Sequence, residues 1–192
     1  PLINASRQRD LGLSGMLIVE EAVPAAGMVS IPIIIDDWML DDQGAMDQGF
    51  GSLEAAIGDG RMGNWFTVNA DYKPRIDVDR AQNTRLRLVN VCNTRTVSLQ
   101  LKNVDVLIIA EDGQPVTPRE PGLEPLTLVP GQRVDLLVTT ILEQGVISLD
   151  LQEDVVEVAF LVATGTAGQG LADNFRLPAN PLPVPATDKV RT

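Results

Sequence analysis

Short apolar runs separated by Gly, Pro, Asn and Asp recur along the whole chain, rich in β-branched residues and without long stretches of helical periodicity. Such a pattern predicts an all-β protein, because period two puts alternate side chains on one buried face while turn residues close each run. Arg85-Leu-Arg-Leu-Val-Asn-Val91 is the clearest strand: its leucines share one face, and Arg85 and Arg87 point the other way. Met16-Leu-Ile-Val19 reads as a compact strand. Val29 to Ile35 reads as another, bent or placed at an edge by Pro32, which has no amide hydrogen to donate, and Phe66 to Asn69 starts a third. Val97, Leu99 and Leu101 share a face, and Lys102-Asn103 predicts a hairpin turn into Val104 to Ala110. Leu126 to Val129 turns at Pro130-Gly131 into Val134, Leu136 and Val138. With Val146 to Leu151 and Val155 to Ala163 the total reaches about eight or nine strands, which suits a sandwich or Greek-key barrel better than a parallel α/β sheet.

The two ends differ from this middle. Residues 1–21 hold one strand with no partner nearby in sequence, followed by the loop 22–27, so that strand is expected to belong to a preceding domain. Residues 166–192 contain Gly168 and Gly170 and finish with Pro178, Pro181, Pro183 and Pro185, a composition that predicts an extended, solvated linker. Residues 22–165 form the expected domain between them. Pro1, standing where a Met would begin a gene product, reads as the start of an excised piece or a processed product.

Composition narrows the chemistry sharply, because the chain has no histidine. Imidazole is the usual nitrogen ligand of copper, zinc and non-haem iron, and the usual base near neutrality, so most metal-hydrolase and triad mechanisms lose an essential part. A net charge of −11, from 15 basic against 26 acidic residues, argues against nucleic acid or an anionic lipid surface as partner. No run approaches the ~18 apolar residues that span a bilayer, and Cys92 as the sole cysteine rules out a disulfide within the chain.

The candidate clusters fall mostly to structural readings. Asp36, Asp37, Asp41, Asp42 and Asp47 suggest calcium, but Asp41-Asp-Gln-Gly-Ala-Met46 fails the EF-hand spacing, and a solvated loop is expected. Gly58-Asp-Gly-Arg-Met-Gly63 lacks the Gly-Lys-Ser/Thr ending of a phosphate loop. Cys92 is expected to be a small buried hydrophobe, since no histidine is present to activate it, and Ser14, Ser30 and Ser98 meet the same objection. Arg95, Arg133 and Asp135 suggest either a binding pair or bridges between strands. Met16, Met28, Met39, Met46 and Met62 offer thioethers to copper(I) only if clustered, and Trp38 and Trp65 are expected to anchor the core or a neighbouring surface.

Six strings in order resemble the multicopper oxidases, the family of laccases, ascorbate oxidase and bacterial copper-efflux oxidases. Gly12-Leu-Ser-Gly-Met-Leu-Ile-Val-Glu20 is similar to the segment ending that family's first cupredoxin domain, and Ile35-Asp-Asp-Trp38 to the strand end opening its second. Gly63-Asn-Trp-Phe-Thr-Val-Asn69, Arg85-Leu-Arg-Leu-Val-Asn90, Ala110-Glu-Asp-Gly-Gln-Pro115 and Pro130-Gly-Gln-Arg-Val-Asp135 resemble four further elements of that second domain. Leu177-Pro-Ala-Asn-Pro-Leu-Pro183 resembles the connection onward to a third. The resemblance implies a cupredoxin-like Greek-key β-sandwich or barrel: residues 1–21 as the last strand of a preceding cupredoxin domain, 22–165 as a copper-free second domain, and 166–192 as the linker to a third.

In three-domain members the copper ligands lie in the first and third domains, so the resemblance implies no catalytic, cofactor or metal residue in this chain and copper in its parent. It further implies flanking cupredoxin domains as partners, a periplasmic or secreted location, and a parent that couples one-electron oxidation of a substrate to reduction of dioxygen. Asp112, Arg133 and Asp135 are the expected turn and bridge residues. The start Pro1-Leu2 leaves two parents open: one whose His-x-His pair ends just before Pro1, and one in which Leu2 replaces a histidine, as in copperless members that act in cell division. A calcium-binding β-sandwich module, using the Asp36 to Asp47 loop, is the third reading. Separated from its neighbours, the domain is expected to expose apolar faces and to self-associate.

Overall fold

The computed structural model describes residues 3–19, 21, 27–152, 154–166 and 175–180. Nine strands form one continuous hydrogen-bonded sheet: β1 Met28–Trp38, β2 Trp65–Val68, β3 Arg75–Asp79, β4 Asn83–Asn90, β5 Val97–Glu111, β6 Gln114–Arg119, β7 Leu126–Leu128, β8 Arg133–Asp150 and β9 Val155–Thr164. Two short helices, α1 Ala5–Asp10 and α2 Leu53–Ile57, are the exceptions to the all-β pattern.

Two long strands make the sheet fold over on itself. The first part of β8 lies between β4 and β5, and its last part lies between β5 and β9. One layer therefore reads β2-β1-β4-β8-β5-β6, while β3-β9 and β7 extend the other through the far ends of β8 and β5. Two of the pairings, β1 with β4 and β3 with β9, are parallel, and the other six are antiparallel. Ile33, Ile35, Leu86, Leu88, Leu136, Ile147, Leu149 and Leu161 fill the space between the layers, each fully buried.

Several sequence expectations need correction. Lys102-Asn103 does not turn a hairpin: β5 runs straight through, with Asn103 at φ +59° absorbing a register shift between Lys102 and Val104. A bulge of this kind bends a strand without ending it. The runs read as separate strands at 134–138 and 146–151 are likewise one bent strand, β8. Pro32, by contrast, lies where an edge was expected: it sits opposite Arg87 in the β1–β4 ladder, on the stretch of β1 that β2, paired only with Ile35–Trp38, does not reach. Met16–Val19 forms no strand among the described residues, because a strand exists only by pairing and this segment has no ladder partner. Leu17 is 91% exposed there and Val19 78%.

Part of the outer face of β5 and β8 is covered as well as the inner one. Leu177 is buried against Ile109, Ala110 and Leu137, with Phe175, Met28 and Leu107 packed around them. Asn180 donates to the Gly113 carbonyl at 3.0 Å and Arg176 to Thr117 at 2.9 Å. Residues 175–180 are thus a strap docked on the sheet, where a solvated linker was expected. The expectations for Pro1, Leu2, the loop positions 22–26, Gly168, Gly170, Pro181, Pro183 and Pro185 lie outside the described residues.

Candidate functional site

The polar groups worth examining gather where β1 and β4 end side by side. Asp36 and Asp37 close β1, and two residues after β4 comes Cys92, fully buried, with Sγ 3.9 Å from the Ile35 carbonyl. One donor atom from each of Asp36, Asp37 and Cys92 lies within 4.8 Å of the others. Among the described residues no other trio of His, Cys, Asp or Glu comes so close.

Asp37 already has a structural occupation. Its Oδ2 accepts from Arg95 Nε at 2.9 Å and from the Gly63 amide at 2.6 Å, while Arg95 also donates to the Gly63 carbonyl at 2.7 Å. The Gly63 backbone can reach that position because it has no side chain: a Cβ there would stand 2.4 Å from the Trp38 nitrogen. Asp37 Oδ1 is buried without a hydrogen-bond partner. Burial, and after it the Asp37 carboxylate, push the Cys92 thiol far above its ordinary range, so the sulfur stays protonated.

Copper is the metal that the family resemblance puts in question, and these donors do not fit it. Copper sites of this kind are built on imidazole with thiolate or thioether sulfur, whereas this trio offers one protonated thiol and two carboxylates, one of them held by Arg95. With no histidine in the sequence, no nitrogen ligand of the usual type can be supplied. Calcium loses its ligands too: Asp41 Oδ1 accepts from the Gln43 and Ala45 amides, and Asp47 is bound by Arg61 at 2.8 Å. Millimolar calcium is expected to leave the melting temperature unchanged, and a rise in differential scanning calorimetry would restore the calcium reading.

Asp36 carries the opposite perturbation to a paired acid. Burial raises its pKa to about 6, against the effect of the Asp37 amide that bonds it, with the Asp37 and Asp10 carboxylates adding to the rise. The folded value lies above the unfolded value of about 3.9, so the folded chain holds this proton more tightly and loses stability as pH climbs from about 4 to about 6. Asp36→Asn keeps the acceptor for the Asp37 amide and removes the charge. It is expected to stabilise the chain by about 1 kcal/mol at neutral pH, discounted for solvent access, and by nothing below pH of about 4. Urea unfolding at both pH values checks this; equal effects at both would refute it.

A second polar centre lies on the outer face of β4. Arg85, its side chain only 5% exposed, donates through Nε to Asp135 Oδ2 at 2.8 Å and through an Nη to Glu21 Oε1 at 2.5 Å. Burial alone would lower the Arg85 pKa, but Glu21 and Asp135 more than reverse it, and the value stands above normal. Arg87 lies beside it, 3.8 Å from Glu21 and bonded to Ser30. Residues 15–19, this arginine pair and the strap at 178–180 enclose a cavity of about 880 Å³. Asp112, at φ +47°, forms the predicted turn: it accepts the Arg133 amide at 3.0 Å while Arg133 bonds back to its carbonyl at 2.9 Å.

The expected grouping of Arg95, Arg133 and Asp135 therefore separates into three bridges, with Asp37, Asp112 and Arg85 as the respective partners. Trp38 donates to Thr67 at 2.8 Å, and Trp65 stacks on Tyr72 with ring centres 4.3 Å apart. Arg61 was missed altogether. It binds Asp47 and Asp10 and covers the Phe50 ring, fastening α1 and the 39–50 loop to the segment that leads into β2. A signal for Arg85 is present in the sequence: Arg85 lies on one strand and the acidic Asp135 on its neighbour.

The family model for multicopper oxidase matches residues 30–147, well over half of the chain. The chain belongs to the multicopper oxidase family. A multi-copper oxidase from Pseudomonas thermotolerans superposes on 95% of it with a TM-score of 0.77 at 33% identity, using 44% of that chain. One from Pseudomonas parafulva covers 91% at 0.72 and 31% identity, using 42% of its own length. Among curated proteins, cell division protein FtsP of Escherichia coli K12 is 32% identical over 134 residues, and that of Yersinia pestis 31%. Those matches take in 66% of this chain but only 27% of either relative. The fold is the cupredoxin-like all-β arrangement that the multicopper oxidase resemblance implied. No helix among the described residues is long and apolar enough to cross a membrane.

Proposed function

We propose that this chain is a copper-free middle domain of a three-domain, laccase-like multicopper oxidase, exported to the periplasm, whose task is to hold copper-bearing neighbours in register. The observation that carries this reading is the donor set. A multicopper oxidase domain without one histidine, whose clustered acids serve Arg95 and the backbone, is suited to positioning other domains and not to ligating metal. Copper bound by the flanking domains would supply the redox chemistry, with substrate oxidation coupled to reduction of dioxygen. This chain's share is packing: α1 fixes residues 3–12 through Arg9 and Asp10 to Cys92 and Asn93, and the Arg85 bridge fixes Glu21.

After incubation with copper and gel filtration, metal analysis of the 192-residue chain is expected to find far less than one copper per chain. Stoichiometric copper would remove the centre of the proposal. A second reading, a copperless family member serving as an interaction scaffold in cell division, is supported by the FtsP similarity. The gene on either side of the segment separates the two: intact His-x-His pairs upstream and a His-Cys-His strand downstream favour the oxidase, and substitutions at several of those positions favour the scaffold.

A further inference from the structure

One edge of β5 is left open in mid-strand. Along its other edge β5 pairs with β8 from Ser98 to Glu111. On this edge Val97–Leu99 pairs with β7 and Ile108–Glu111 with β6, and among the described residues no strand lies opposite Gln100–Leu107. The chain joining β6 to β7 passes this stretch as Glu120-Pro-Gly-Leu-Glu-Pro125 without pairing to it. Pro121 and Pro125 have no amide hydrogen, so this connection is a poor ladder partner. Between the connection and the strand lies a cavity of about 730 Å³.

Two properties make the gap more than a protected edge. A connection pressed onto the strand would block added strands, whereas this one stands away from it. The walls combine apolar side chains, Leu101 and Leu107, with a lopsided charge: Asp105, Glu120, Glu124 and Asp150 against Lys102 as the sole cation of the lining. Asp105, Glu120 and Glu124 have no ion-pair partner among the described residues.

We propose that Gln100–Leu107, beneath the Glu120–Pro125 connection, is a docking slot that takes an extended peptide bearing lysine or arginine as an added strand. Backbone pairing would supply affinity, the acidic rim would select cationic side chains, and apolar residues of the peptide would lie beside Leu101 on the inner face or Leu107 on the outer one. Eight residues of open edge, one of them bulged, suit a segment of about six residues.

The test uses the 192-residue chain and a fluorescein-labelled octapeptide of alternating valine and lysine at low ionic strength. Saturable anisotropy is expected, weakened about tenfold in the triple variant Asp105→Asn, Glu120→Gln, Glu124→Gln, whose melting temperature should match the parent. Methylating alternate peptide nitrogens, which removes ladder donors but keeps every charge, should abolish binding. Amide exchange should slow within Gln100–Leu107 when the peptide is added. The proposal fails if the methylated peptide or a valine–glutamate peptide binds as well, if no peptide binds, or if protection falls elsewhere. It fails too if the chain alone dimerises through this edge, or if the intact parent protein refuses the peptide, since a second copy or a flanking domain would then be the occupant.

Discussion

Arg95→Met is expected to lower the unfolding free energy by about 3–5 kcal/mol, the cost of leaving one partner of a buried ion pair uncompensated. The Asp37 side chain is 1% exposed, and among the described residues the Arg95 guanidinium supplies the only positive charge bonded to it. Without Arg95, one amide from Gly63 remains to a carboxylate whose other oxygen already has no partner. The bond from Arg95 to the Gly63 carbonyl and its stacking over Phe66 disappear at the same time. Adding Asp37→Asn to Arg95→Met removes the stranded charge and should recover a substantial part of the loss. Urea midpoints for the single and double variants decide the matter. A single-variant loss under about 1 kcal/mol would show that the pair is solvated in solution.

Arg85→Met should have a comparable effect, about 3–5 kcal/mol, with an added local signature. Among the described residues, Asp135, its side chain 10% exposed, would lose its only ionic partner, and Glu21 would keep only the more distant Arg87. Because Glu21 ties residues 13–19 to the sheet, the variant should also be cleaved in that segment by protease well below its unfolding temperature. Arg85→Lys keeps the charge but cannot fork between Asp135 and Glu21, so an intermediate loss is expected. Arg85→Met that unfolds at the parent midpoint, or is cleaved no faster in residues 13–19, would remove the bridge from the list of anchors.

Strand character was legible wherever the inner face alone governs a residue. The leucines of β4 and the Val134, Leu136 alternation of β8 state their inner face directly, and Pro130-Gly131 marks a turn at which Gly131 has φ +84°. Failures came where a second constraint acts. Asn103 has the composition of a turn, but the continuous β8 ladder beside it turns that propensity into a bulge. Arg85 and Arg87 point away from the core as their alternation implies, yet face residues 15–19 and Glu21 and not water, which no local pattern around residue 85 could announce. The same holds for Leu177, whose proline-rich surroundings suggest a free linker while its burial depends on Ile109 and Leu137, far away in sequence. Family membership was the more legible part, because the six strings that carry the resemblance are local properties of the sequence and need no coordinates.

The parallel pairing of β3 with β9 sets the moment at which this domain can exist. Arg75 lies opposite Phe160 and Asp79 opposite Thr164, so β3 stays without its partner until nearly the whole segment has been synthesised. During that interval Ile76 and Val78 are apolar residues on an unmatched edge. A chain that waits for so distant a pairing locks later than one built of successive hairpins, and leaves that edge open to wrong partners for longer.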